Sequence, residues 1–175
     1  RRASRRAILE RASARETAAR VAAGALANQL LAQFGITAFG YVVQVGPIAV
    51  PPKPGSLVEQ RQRRDQSALY TLDPDRDEEL KAAILEAGKK GDTLGGILEI
   101  RVEGVPFGLG THAQWDRKLD GRLAQAVMAV QAMKGCEIGL GFGYCDKPGS
   151  KVHDPIQFDP AQQADAVMTD AADVG

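Results

Sequence analysis

The stretch Glu10-Arg11-Ala12-Ser13-Ala14-Arg15-Glu16-Thr17 has the residue types and spacing that could do chemistry. Ser13 and Glu16 form S-x-x-E, a capping box that starts a helix by occupying its first free N–H groups. Arg15 then stands in the first helical turn, where the dipole is already positive and a cation is mildly unfavourable. The placement makes sense if an anion binds there. Backbone N–H groups at a helix start, joined by Arg11 and Arg15, suit a phosphate or a carboxylate. The alternative is that these arginines pair with Glu10, Glu16 or an acidic loop, as surface arginines commonly do. Charge is distributed to match the anion reading: residues 1–20 carry seven arginines against two glutamates, whereas five aspartates and no Lys or Arg follow Lys151.

Other candidates are weaker. Gly139-x-Gly141-x-Gly143 resembles a dinucleotide-binding loop, but it follows a helical pattern and opens no helix, so close packing is the better reading. His112 and His153 are the only histidines, and neither stands in a metal-ligand or triad spacing. His153-Asp154 reads as a loop-ordering pair. Cys136 and Cys145 fit neither a C-x-x-C redox pair nor a zinc half-site, and read as two reduced thiols. Gln131 interrupts an apolar helix near its C-terminal end, where an amide needs solvent or a partner.

The elements that must position these residues alternate between helical and strand periods. Ala22, Leu26, Leu30 and Phe34 form a stripe on a helix predicted over about 13–34. After Gly35 the period becomes two, with Thr37, Phe39, Tyr41, Val43 and Val45 on one face of a strand that stops at Gly46-Pro47. Residues 51–72, containing Pro-Pro-Lys-Pro-Gly and the charged run Arg61 to Asp65, read as a surface loop. Asp73-Pro74 opens a second helix burying Leu80, Ala83, Ile84 and Ala87, which Gly88 and Gly91 end. Leu98, Ile100 and Val102 alternate with Glu99, Arg101 and Glu103 in a half-buried strand with one wet face. Asp120 caps a third helix carrying Leu123, Ala126, Val127 and Val130, which Gly135 terminates. Ile138, Leu140, Phe142 and Tyr144 then read as a strand with glycines on its other face, and residues 160–175 as an irregular tail. The pattern predicts an antiparallel α+β sandwich in a single domain.

Composition narrows the function classes. With 22 Lys+Arg against 22 Asp+Glu, the chain has no net field to gather nucleic acid or an anionic membrane. A basic face built from Arg1, Arg2, Arg5, Arg6 and Arg11 could grip phosphates non-specifically, but at 5% aromatic content few bases would find a stacking partner. No apolar run approaches the roughly 18 residues of a membrane span. The expectation is a soluble, cytoplasmic protein. The first residues Arg1-Arg2 and the polar end also read as cut from a longer chain.

Five stretches in order resemble chorismate synthase: ERASARETAARVAAGAL over 10–26, DTLGG over 92–96, PFGLGTHAQWDRKLD over 106–120, AVMAVQAMKGCEIGLGF over 126–142 and GSKVHD over 149–154. The resemblance implies a β-α-β sandwich of antiparallel sheets with long helices, forming a subunit of a homotetramer. It also implies a 1,4-elimination of phosphate from 5-enolpyruvylshikimate 3-phosphate, giving chorismate with the help of reduced FMN. NADPH or an external reductase would supply the electrons. Arg11, Ala12 and Ser13 match flavin contacts of the family, as do Gln131 and Ala132, while Ala14 and Arg15 match substrate positions.

The sequence departs from the family pattern in what it lacks. The two catalytic histidines belong to G-D-S-H-G and R-P-G-H-A-D motifs that are not present, and His112 and His153 match neither. A K-P-I-x-T stretch and an R-S-D motif, which carry further flavin and substrate contacts, are missing too. The expectation is that these 175 residues are inactive alone. The competing expectation is a non-catalytic oligomerisation or ligand-binding fragment of the same fold.

Overall fold

A computed structural model of the chain describes residues 5–13, 15–106, 108–153, 156–159 and 164–167. Two compact units are present, Gly24–Pro106 and Arg1–Ala23 with Phe107–Gly175, and each is described by itself.

In the first unit, glycines end two of the helices. Helix α2 (Arg15–Ala32) closes where Gly35 takes φ +73°, so that Ile36 N–H donates to Leu31 O (3.0 Å) and Gly35 N–H to Ala32 O (3.1 Å). Helix α4 (Asp77–Lys89) repeats this ending with Gly91 at φ +71° and Asp92 N–H on Ala87 O (3.0 Å). Between them, β1 (Thr37–Val45) turns at Gly46-Pro47 into β2 (Ile48–Ala49) and pairs antiparallel with β3 (Gly96–Glu103). The sheet order is β2-β1-β3, with the register shifted between Val42 and Gln44. Phe39, Tyr41 and Leu72 form the core, joined by Val43 and Leu57.

The 51–72 stretch, expected as a loop, instead contains helix α3 (Leu57–Gln66). Ser56 and Glu59 start it as a reciprocal capping box, with Ser56 N–H on Glu59 Oε2 (2.8 Å) and Glu59 N–H on Ser56 Oγ (3.4 Å). Apart from Leu57, the helix docks through its arginines rather than an apolar stripe. Arg63 Nη1 donates to Pro54 O (2.9 Å), and the Arg64 guanidinium lies 5.9 Å from the centre of the Phe39 ring. A polar knot holds α4 to the segment before it. Buried Asp77 accepts from Ser67 Oγ (2.7 Å) and Ala68 N–H (2.6 Å), and Ser67 Oγ accepts from Thr71 N–H (3.0 Å).

The faces of β3 are the reverse of those its alternation predicts. Leu98, Ile100 and Val102 are 43%, 53% and 42% exposed, whereas Glu99 and Arg101 are half-buried on the face of Phe39 and Tyr41. The charges are tolerated because they are partnered: Tyr41 Oη–H donates to Glu99 Oε1 (2.5 Å), and so does Arg101 Nε (2.6 Å). The predicted apolar stripe of α2 is likewise open, with Leu26, Leu30 and Phe34 all exposed.

In the other unit, α1 (Arg5–Ala12) precedes α2, and α5 (Leu119–Met128) follows a short turn at Trp115–Arg117. Asp120 does not cap α5. Lys118 occupies that position, and Asp120 instead accepts from Gly121 N–H (2.7 Å) within the first turn. The helix stops at Met128 rather than running to Gly135. The predicted strand over 138–144 is absent, since Gly139 and Gly141 adopt φ +61° and +50° and the chain coils into a helical turn over Gly141–Asp146. The 160–175 tail is not wholly irregular: Ala164–Val167 (β5) pairs antiparallel with Ile156–Asp159 (β4). The architecture is α+β with antiparallel sheets. Among the described residues, no helix is long and apolar enough to cross a membrane.

Candidate active site

The break between α1 and α2 falls at Ser13 and Ala14, so the chain makes two helix ends where a single helix start was expected. Ser13 takes part in both. Its N–H donates to Leu9 O (3.0 Å), finishing α1, while its carbonyl accepts from Glu16 N–H (3.1 Å) and its Oγ from Arg15 N–H (3.2 Å), starting α2. The capping role of Ser13 is thus present, whereas the Glu16 carboxylate accepts from Gln131 and Arg20.

Arg11 and Ala12 are the last two residues of α1, and Ala12 is exposed. Ala14 lies outside the described residues. Arg15 opens α2, and its Nη1 donates to Glu10 Oε1 (2.7 Å), one of the acidic partners weighed from the sequence. Both side chains of this ion pair are largely in water, at 64% and 41% exposure, so the pair is weak and can be exchanged for a stronger anionic ligand.

Gln131 joins this region from the far end of the sequence. It lies beyond α5 in a turn that Met133 N–H closes on Val130 O (3.3 Å), not inside a helix as its spacing predicted. Its Nε2 donates to Glu16 Oε2 (2.8 Å), while Glu16 Oε1 accepts from Arg20 (3.4 Å). Ala132, the next residue, has φ +69°, left-handed backbone that a non-glycine residue seldom adopts and that collects at functional sites. Sequence reasoning found Gln131 as an amide in need of a partner, but it did not identify Glu16 as that partner or the strain at Ala132. Ser13, Arg15, Glu16, Gln131 and Ala132 all belong to one unit, and the Glu16–Gln131 bond ties the helix start to the turn.

His112 and His153 are exposed, and Asp154, the expected neighbour of His153, lies outside the described residues. Cys136 and Cys145 are free and exposed. Among the described residues, no group of His, Cys, Asp or Glu could hold a metal ion.

An exposed guanidinium and a hydroxyl at a helix start, tied through the Glu16–Gln131 bond to a left-handed turn, are groups suited to an anion and a polar planar ligand. The chain as a whole is similar to known proteins. A family model described as chorismate synthase matches residues 1–172. The chorismate synthase of Geobacter metallireducens is 51% identical over 162 residues, covering 93% of this chain and 41% of that protein. That of Brevibacillus brevis is 55% identical over 149 residues, covering 85% and 38%. A solved structure described as "Crystal Structure of Chorismate Synthase" superposes with a TM-score of 0.83 at 46% identity, over 90% of this chain and 50% of that one. The chain belongs to the chorismate synthase family. It spans about two fifths of the length of the curated relatives it matches.

Proposed function

We propose that the full-length protein carrying this chain converts 5-enolpyruvylshikimate 3-phosphate to chorismate and phosphate. The observation that carries the reading is the family match over residues 1–172, which includes the arginine-bearing helix start. Arg11, Ala12 and Ser13, with Gln131 and Ala132, are assigned to the flavin, and Ala14 and Arg15 to the substrate. The donor set fits reduced FMN and a phosphate ester: a helix start with Ser13 and an exposed Arg15, and an amide-anchored turn at Gln131 and Ala132.

Reduced FMN, when bound, lends electron density to the reacting substrate and takes it back. The chain's own contribution is electrostatic. Negative charge develops on the departing phosphate, and a guanidinium placed to meet it in two hydrogen bonds lowers the barrier as well as the binding energy. Arg15 holds that position once the substrate takes the place of Glu10. Ser13 fixes the first turn of α2, and so the direction in which Arg15 leaves the backbone. Proton transfer is assigned to no residue of this chain, because the family's two catalytic histidines have no counterpart in it.

A homotetramer, a cytoplasmic location, and electrons from NADPH or an external reductase complete the proposal. The test is an anaerobic assay of the full-length protein with reduced FMN and 5-enolpyruvylshikimate 3-phosphate, following phosphate release. Release that depends on reduced rather than oxidised FMN supports the reading, and no release above a no-protein blank refutes it.

A further inference from the structure

We propose that Glu16 is a positioning residue for the flavin, acting through Gln131. The inference rests on the assignment of Gln131 and Ala132 to the flavin site. Its basis is a hydrogen bond between residues 115 positions apart, Gln131 Nε2 to Glu16 Oε2 at 2.8 Å, which links the first turn of α2 to the turn after α5.

Three features give this bond a directing role. A carboxylate only accepts, so Glu16 fixes which end of the amide faces it: the NH2 group points to Glu16 and the carbonyl end points away. Glu16 is itself held, since its other oxygen accepts from Arg20 one helical turn on (3.4 Å) and its side chain is only 24% exposed. The anchored residue directly precedes Ala132 at φ +69°, and a strained conformation persists only where its surroundings over-determine it. Glu16 thus sets both the amide direction and the backbone turn that the flavin would meet, without touching the flavin.

The test is a double-mutant cycle in the full-length protein, read by anaerobic titration with reduced FMN. Glu16→Met removes the acceptor while keeping length and helix propensity, and Gln131→Leu removes the donor. Each should weaken FMN binding about tenfold, as expected for losing a charge-assisted hydrogen bond. The double variant should be no weaker than either single one. Glu16→Gln, which still offers an acceptor, should bind within about twofold of wild type. Glu16→Ala serves the same cycle should the methionine variant not fold. If Gln131→Leu weakens binding and Glu16→Met does not, or if the two losses multiply, the role of Glu16 is overturned while the flavin assignment stands. If Gln131→Leu leaves FMN affinity unchanged, the flavin assignment of Gln131 falls, and the role of Glu16 with it.

Discussion

Arg15 and Glu10, on either side of the break between α1 and α2, meet at 2.7 Å from Nη1 to Oε1. Because the pair is exposed, it contributes only about 0–1 kcal/mol. A phosphate ester that accepts two charge-assisted hydrogen bonds outcompetes it. In the full-length protein, Arg15→Ala should lower kcat/KM by the equivalent of about 2–4 kcal/mol. Glu10→Gln should not lower it, and neither change should alter stability by more than about 1 kcal/mol. Arg5→Ala is the control. Steady-state kinetics with thermal melts check this, and equally small kinetic effects of Arg15→Ala and Arg5→Ala contradict it.

Ala132 tests the strained turn. At φ +69° an alanine Cβ crowds the following carbonyl oxygen, and a β-branched side chain crowds it more. Ala132→Gly should leave stability within about 1 kcal/mol of wild type, because relieved strain offsets the added flexibility of the unfolded chain. Ala132→Val should lose about 1–2 kcal/mol. Denaturant melts of the two variants decide, and a stable valine variant would place no demand on that turn.

The Asp77 carboxylate holds the Ser67 hydroxyl and the Ala68 N–H inside the first unit. Asp77→Ala removes the carboxylate that accepts from both donors, and should cost about 2–4 kcal/mol. Ser67→Ala should cost less, about 1–2 kcal/mol. A melt showing the reverse order would mean that the hydroxyl, not the carboxylate, organises the knot.

Tyr41 gives an alkaline signature. Burial, then its hydrogen bond to Glu99, push its pKa well above the ordinary value of 10.0. The fold therefore favours the protonated phenol, and this stabilisation is complete below pH 10.0 and is lost as pH rises beyond it towards the folded-state value. Wild type should lose stability above about pH 10 more steeply than Tyr41→Phe, and parallel melting curves across that range would contradict this.

Much of the sheet was legible because its cause is local. The period of two over Thr37–Val45 and the glycines at 35, 46 and 91 match the observed strand and turns. Helix α3 was missed because it has no apolar stripe, although Ser56 and Glu59 carry the same S-x-x-E pattern that was read at Ser13 and Glu16. The β3 alternation gave the period correctly and the faces wrongly. Which face is covered depends on Tyr41 and the arginine of α3, partners that no spacing within the strand reveals. At the site, the arginine-bearing helix start was visible from charge placement. The Glu16–Gln131 bond was not, since it joins residues 115 positions apart, and neither was the left-handed Ala132, where a turn of this kind ordinarily takes glycine.

The most direct measurement is phosphate release from 5-enolpyruvylshikimate 3-phosphate with chemically reduced FMN under anaerobic conditions. It compares the full-length protein, its Arg15→Ala variant and residues 1–175 alone against a no-protein blank. Turnover by the full-length protein, a loss of about 30-fold or more in kcat/KM in Arg15→Ala, and no release above the blank from residues 1–175 is the expected result. Silence from the full-length protein would contradict the proposed reaction. Release by residues 1–175 would contradict the dependence on motifs that this chain lacks.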